Sequence, residues 1–165
     1  MIIKTKNFSL RPIRMSDSRA YFECMMDEET RKNLTSFPET LQQAEKEIKG
    51  MQEEARDKDS KIFTIVVDKH YAGNVLLQHQ NWDKKSDEGR MHIWIHPAYR
   101  GRGLATQVTR EVEDYAFHHG FNRVYIQCKA INAGVMHICE KLGYRRVKSF
   151  KNDKGVEKVL WVKER

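Results

Sequence analysis

Ile95-His96-Pro97-Ala98-Tyr99-Arg100-Gly101-Arg102-Gly103-Leu104-Ala105-Thr106 joins a strand-like run to an amphipathic helix through a loop of arginines and glycines. Such a junction suits a phosphate. Glycines let backbone N–H groups approach an anion closely, a helix N-terminus adds partial positive charge, and two arginines add full charges. Beyond the loop, Ala105, Val108, Val112, Tyr115 and Ala116 draw one apolar stripe on a helix that begins at Leu104 and ends near Gly120. Residues 90–96 before it and 124–128 after it read as strands. Strand, crossover helix and strand over 90–128 form a βαβ unit, so the two strands should run parallel with a right-handed connection.

Working outward, residues 2–13 read as an opening strand closed by Pro12, and Ser16-Asp17 as the cap of a helix through about Met26. Thr40-Leu41-Gln42-Gln43 resembles a capping box, after which Ala44, Ile48, Met51 and Ala55 recur at helical spacing. Residues 61–67 and 72–78 are β-rich and separated by the polar Asp68-Lys69-His70, the pattern of a hairpin. Past the second parallel strand comes a helix with Val135, Ile138, Cys139 and Leu142, stopped by Gly143. The tail, 145–162, reads as two strands around Asn152-Asp153-Lys154-Gly155. With no repeat, low-complexity tract or linker, residues 1–165 are expected to form one domain of α+β (mixed α/β) class.

The chain of 165 residues carries a formal net charge of +7. That surplus is compatible with nucleic acid, a membrane surface or a small anion bearing several phosphates, and charge alone does not choose among them. Cys24, Cys128 and Cys139 are odd in number, widely spaced and contain no Cys-x-x-Cys pair, which supports neither a disulfide framework nor a thiolate zinc site; no metal is expected. The first fourteen residues have no apolar h-region, and the longest apolar run, 62–67, is too short to span a bilayer. A cytoplasmic location is the expectation.

Two common readings of a glycine loop fail on the residues present. A Walker loop needs Gly-Lys-Ser/Thr, whereas Gly103 is followed by Leu104-Ala105. A dinucleotide fold wants the loop in the first βα unit and an acid at the end of the next strand, which here ends Gln127-Cys128-Lys129. The pattern that fits is Arg-x-x-Gly-x-Ala at Arg100, Gly103 and Ala105, which resembles the coenzyme A loop of the GCN5-related N-acetyltransferases (GNAT). That family's later motif is matched by Asn132, Cys139, Lys141, Gly143 and Tyr144. The opening Leu10-Arg11-Pro12-Ile13-Arg14-Met15-Ser16-Asp17, with Pro38-Glu39-Thr40 and Gln43-Ala44-Glu45, is similar to the branch of ribosomal-protein N-terminal acetyltransferases (RimJ/RimL-like), so the resemblance spans nearly the whole chain.

The resemblance implies a central, mostly antiparallel twisted sheet of about six to seven strands with one parallel, splayed pair, flanked by about four helices. It implies acetyl-CoA as co-substrate and an amine acceptor, a peptide N-terminus or a small amine, attacked directly in a ternary complex. Pantetheine would pair with the backbone of Ile93, Trp94 and Ile95, the pyrophosphate would sit on Gly101, Arg102, Gly103, Leu104, Ala105 and Thr106 beside Arg100, and Asn132 would bind the pantetheine arm. A base near neutral pKa is wanted for the amine, and His92, on the strand flanking the thioester, is the candidate, with a packed strand histidine as the alternative. His96 before Pro97 reads as shaping the turn.

The chain departs from the family at two places. Relatives often carry Glu where this chain has Gln127, which cannot act as a base, and Tyr where it has Cys139. Cys139 is a candidate proton donor to the leaving thiolate, although its helical core position favours a buried core cysteine. The acceptor is expected to enter past residues 30–40 and the tail hairpin. Glu28, Glu29, Glu53, Glu54 and Asp57 are available to a polyamine but read equally well as solvated helix faces. Two other functions stay open: a catalytically weak coenzyme A-binding regulatory module, motivated by Gln127 and Cys139, and a basic RNA- or ribosome-binding protein, for which no basic run interleaved with aromatics is found. Many relatives dimerise, which leaves a homodimer open, but the sequence carries no signal for the oligomeric state.

Overall fold

The apolar residues of the central strands come in runs rather than in alternation, which requires cover on both sheet faces. The computed structural model describes residues 2–165 and supplies that cover. Eight strands form one sheet: β1 (Ile3–Lys4), β2 (Ser9–Pro12), β3 (Lys61–Val67), β4 (His70–His79), β5 (Glu88–Ile95), β6 (Arg123–Lys129), β7 (Arg145–Lys151) and β8 (Glu157–Glu164). Their order is β1-β2-β3-β4-β5-β6-β8-β7, and every neighbouring pair is antiparallel except β5 with β6. Helices α1 (Ser18–Met26), α2 (Glu28–Asn33) and α3 (Leu41–Asp57) precede β3; α4 (Leu104–His118) is the crossover, and α5 (Ala133–Lys141) follows β6.

The sheet divides the core in two. On one face, Val108, Val112 and Ala116 of α4 and Ile138, Cys139 and Leu142 around α5 pack on Val75, Leu77, Met91, Val124, Ile126, Val159 and Trp161. On the other, Tyr21, Cys24 and Met25 of α1 and Ala44 and Ile48 of α3 pack on Ile13, Ile62 and Leu76. No helix is long and apolar enough to cross a membrane, and the described residues contain no His, Cys, Asp and Glu cluster able to hold a metal.

The expected class, the hairpin, the parallel βαβ unit and the two tail strands are all present, with one strand and one helix more than the expected ranges. The extra strand arises because residues 2–13 are broken by a turn at Thr5, whose hydroxyl and N–H both donate to the Phe8 carbonyl, at 2.8 and 2.9 Å. The extra helix, α2, is too short and polar to draw an apolar stripe; it is started by Asp27, whose carboxylate accepts from the Thr30 N–H at 2.9 Å. Thr40 caps α3 as expected, accepting from the Gln43 N–H, while the Gln43 side chain accepts from Glu39 N–H rather than from Thr40. Asp17 does not cap α1 with its side chain. It is buried, receiving the Arg11 guanidinium at 2.7 and 2.9 Å and the Thr64 hydroxyl at 2.7 Å. Burial alone would raise the Asp17 carboxyl, but the bonds from Arg11, Thr64 and the Arg14 N–H outweigh it and hold it below the ordinary carboxylate range.

Two irregularities in the sheet shape the site. Between Ile65 and Val66 the β3–β4 register skips, so Ala72 has no partner on β3 and β4 bulges there. Next to it, Gly73 adopts φ +145° and lies so close to β5 that a Cβ would meet the Trp94 carbonyl oxygen at 2.2 Å. Then β5 and β6 part company: their pairing runs from Glu88↔Arg123 to Met91↔Ile126 and stops. Beyond that point β5 stays with β4 as far as Ile95, and β6 stays with β8 as far as Lys129.

Candidate active site

The divergence of β5 from β6 opens a cleft of about 510 Å³ that runs between the two layers of helices. Past Met91, the backbone of β5 has no partner strand on its β6 side, leaving an edge that an extended ligand can pair with. Ala105 and Thr109 of α4, Asn132 and Val135 at the start of α5, and Thr30 and Leu34 around α2 line the walls.

At one end stands the glycine-arginine loop. Pro97–Tyr99 forms a single 3-10 turn, capped by His96, whose Nδ1 accepts from the Ala98 N–H at 3.2 Å, so His96 does shape the turn. Gly101 and Gly103 have φ of +75° and +72°, the left-handed conformation that side chains disfavour. Gly103 caps α4 without a side chain, so the N–H groups of Leu104, Ala105 and Thr106 lack both an intrahelical acceptor and a capping oxygen. Three such N–H groups at the positive end of a fifteen-residue helix make an anion cradle. Arg102 extends over the Tyr99 ring, 5.7 Å from its centroid. Arg100 turns the other way: its guanidinium donates to Asp27 Oδ2 at 2.8 Å and to the Thr30 hydroxyl, tying the loop to the start of α2.

Of the residues singled out from sequence, His92, Ile93, Trp94, Ile95, Arg100, Ala105 and Asn132 line the cleft. Gly101, Arg102, Gly103, Leu104 and Thr106 build the turn and helix start at its mouth. Asn132 caps α5, its side-chain oxygen accepting from the Val135 N–H at 3.2 Å. The Trp94 indole belongs to the α1/α3 side, where its N–H donates to Asn74 Oδ1 at 3.1 Å. Cys139 is not among the cleft-lining residues; it is fully buried in the α4/α5 core, and burial, then Cys128 and Glu140, push its thiol up to about 12.

His92 is half-buried at the point where the strands separate. Burial, then the Arg90 and Lys158 charges, push it down to about 4, so the imidazole is neutral at physiological pH. The unfolded chain takes up this proton near the ordinary value of about 6.5. The folded state therefore keeps its full stability above about 6.5 and loses it as pH falls towards 4. Replacing His92 by Gln is expected to remove up to about 3 kcal/mol of that acid-side loss. Denaturant unfolding at a series of pH values should show the wild-type stability falling relative to the variant's by up to about 3 kcal/mol as pH drops from neutrality towards 4; parallel curves would sink the assignment.

Sequence reasoning missed Thr109 and Lys158. Thr109 could have been found as the residue one turn beyond Ala105, and its hydroxyl donates to the Ala105 carbonyl at 2.7 Å. Lys158 has no local signal; only the register Lys129↔Lys158 brings it to the cleft.

The family model of the Acetyltransferase (GNAT) domain matches residues 7–145. No curated protein matches the chain. Solved structures share its fold at low identity. The acetyl transfer enzyme of Salmonella typhimurium that modifies the N-terminal serine of the 50S ribosomal subunit protein L7/L12 is 15% identical, with a TM-score of 0.85 over 100% of this chain and 99% of that one. Mycobacterium smegmatis RimJ, in complex with CoA-disulfide, is 17% identical, with a TM-score of 0.81 over 95% and 81%. The Microcin C7 self immunity acetyltransferase MccE, in complex with acetyl-CoA and AMP, is 14% identical, with a TM-score of 0.81 over 98% and 94%.

Proposed function

Because the chain belongs to the GNAT acetyltransferase family, we propose that its cleft binds acetyl-CoA and passes the acetyl group to the N-terminal amine of a peptide. The observation that carries this reading is the separation of β5 from β6 beyond Met91 and Ile126, with the left-handed glycine turn and open helix N-terminus at the mouth of the gap. These features fit the donor: a polar, extended arm needs a strand edge, and a pyrophosphate needs converging N–H groups. A peptide acceptor is favoured over other amines by the likeness to the Salmonella enzyme, which acts on an N-terminal serine.

When bound, acetyl-CoA supplies an activated thioester. The N–H groups of Leu104, Ala105 and Thr106, with Gly101, Arg102 and Gly103, would hold its pyrophosphate. The β5 edge at Ile93, Trp94 and Ile95 would pair with the arm, and Asn132 would border it. The β5 N–H groups facing the cleft would also stabilise negative charge on the acetyl oxygen. His92, neutral at working pH, can accept a hydrogen bond from the amine and orient it, but an imidazole pushed down to about 4 is a weak final proton acceptor. Proton transfer to solvent completes the exchange, and most of the acceleration comes from holding amine and thioester together.

Arg100 divides the work unusually. Its guanidinium holds Asp27 and Thr30, at the wall the acceptor passes, rather than the cradle at Gly101 and Gly103. Arg100→Met is therefore expected to raise the KM for the acceptor about tenfold while changing that for acetyl-CoA by less than about threefold, the loss of one exposed charge pair with two hydrogen bonds. A larger effect on acetyl-CoA would return the guanidinium to the pyrophosphate.

The function is tested by following free thiol release from acetyl-CoA against peptides, polyamines, aminoglycosides and small amines. Turnover on peptides above the rate of hydrolysis supports the proposal. If no acceptor exceeds hydrolysis although coenzyme A binds, the protein is a binding module.

A further inference from the structure

The sheet face turned towards α1 and α3 carries its charges unevenly. Residues paired directly across strands share a face, so Gln127, Lys129, Lys158, Leu160, Lys148 and Phe150 lie together on β6, β8 and β7. They stand on the same face as His92, because Met91 and Ile126, paired with each other, point into the opposite core. At the end of this face far from the cleft, charges are matched: Arg123 meets Glu88 at 3.0 Å and Glu164 at 3.5 Å, and Arg145 meets Glu164 at 3.9 Å. At the cleft end they are not.

Lys129 and Lys158 are paired directly, and Lys148 stands diagonally beyond them on β7, opposite Leu160; among the described residues none of the three forms an ion pair with a carboxylate. Lys129 is occupied with backbone, donating to the carbonyls of Lys32 and Leu34 at 3.0 and 2.8 Å, but its charge remains. Lys158 lines the cleft, where burial and the Lys129 charge push its ammonium below the ordinary lysine value. Lys148 lies farther out, 5.1 Å from the Phe150 ring centroid. Glu29 is the one carboxylate among the cleft-lining residues. Cations placed side by side without a counter-charge repel, and a ligand that brings the missing negative charge relieves that repulsion.

We propose that the acceptor is a peptide whose residues immediately after the reacting N-terminus are acidic, with its carboxylates lying along Lys158 and Lys148. This rests on reading the cleft as an acetyl-transfer site. Lys158 at the cleft and Lys148 diagonally beyond it, about 7–8 Å away, match alternate residues of an extended chain, about 6.6 Å apart, rather than the single anion of a small amine. It also sets the direction of the chain: the N-terminus points to His92 and the following residues leave across β8 towards β7.

The test uses three peptides of equal length, each starting with serine and continuing with acidic, neutral or basic residues. Thiol release from acetyl-CoA is measured at low salt and near physiological ionic strength, where the screening length is about 8 Å. The acidic peptide should exceed the neutral one in kcat/KM by about tenfold, the basic one should be poorest, and the spread should shrink with salt. Lys148→Glu should leave turnover of the neutral peptide unchanged and reduce the acidic preference, and Lys158→Glu with Lys148→Glu should reverse the order. Equal rates on all three peptides, or an order that survives the double charge reversal, overturn this inference alone. Turnover of a small amine but of no peptide overturns the peptide reading and this inference with it. A free acidic amino acid acetylated as well as the acidic peptide shows that one anion suffices and also overturns it.

Discussion

Replacing Gly73 by alanine is expected to destabilise the protein by about 3–5 kcal/mol, combining overpacking with backbone strain. The alanine Cβ would stand 2.2 Å from the Trp94 carbonyl oxygen and 3.0 Å from the Ile95 Cα. Both are backbone atoms of β5, so no rotamer change relieves the clash, and φ +145° is itself unsuited to a side chain. The strands must separate where Trp94 and Ile95 border the cleft. Thermal unfolding should show Tm lower by about 10 °C or more for a chain of this size. Gly50→Ala is the control: its Cβ would meet nothing within 4 Å in the middle of α3, and a gain of about 0.5–1 kcal/mol is expected there. A Gly73→Ala variant as stable as the wild type would show that β5 is free to move and that the bulge does not fix the cleft.

Gly103→Val should act on binding rather than on the fold. A Cβ at Gly103 has room, its nearest neighbour being the Gln107 amide nitrogen at 3.9 Å. The difficulty is conformational: φ +72° costs a side chain about 1–2 kcal/mol, and a β-branched one more. Relaxing to negative φ would turn the N–H groups of Leu104, Ala105 and Thr106 away from a common point. The KM for acetyl-CoA, and the Kd for coenzyme A by calorimetry, should rise about tenfold or more, with only a few degrees of change in Tm. Gly103→Asn should recover much of the affinity, because asparagine tolerates the left-handed region. Valine and asparagine variants that both bind like the wild type would remove the cradle from the donor site.

Legibility in the sequence followed how local each cause is. The strand-loop-helix junction at 95–106 could be read because helix periodicity, the glycine conformations and the N-terminal N–H groups are all set within a few residues of one another. Gly143 beyond the end of α5 follows from capping chemistry of the same range, whereas Asn132, read only as a contact to the pantetheine arm, proves also to cap that helix. Arg100 could be read as near the cleft, but not what its guanidinium would hold, because Asp27 and Thr30 lie 73 and 70 residues away in the chain. Asp17 has the chemistry of a helix cap, and a local reading assigns it that role; the approach of Arg11 and Thr64 outcompetes the α1 terminus for its oxygens. Cys139 has helical core spacing as well as a motif position, and packing in the α4/α5 core decides for the former.

The sequence by itself determined the class of fold, the βαβ unit and the anion cradle, because hydrophobic period and turn chemistry act over one or two turns of chain. Tertiary structure alone decided where β5 and β6 part, which way Arg100 points, the depressed basicity of His92 and the gathering of Lys129, Lys158 and Lys148 on one face. Each depends on strand register or, for Arg100, on the packing of α2 against the loop, and both bring together residues that no local pattern connects.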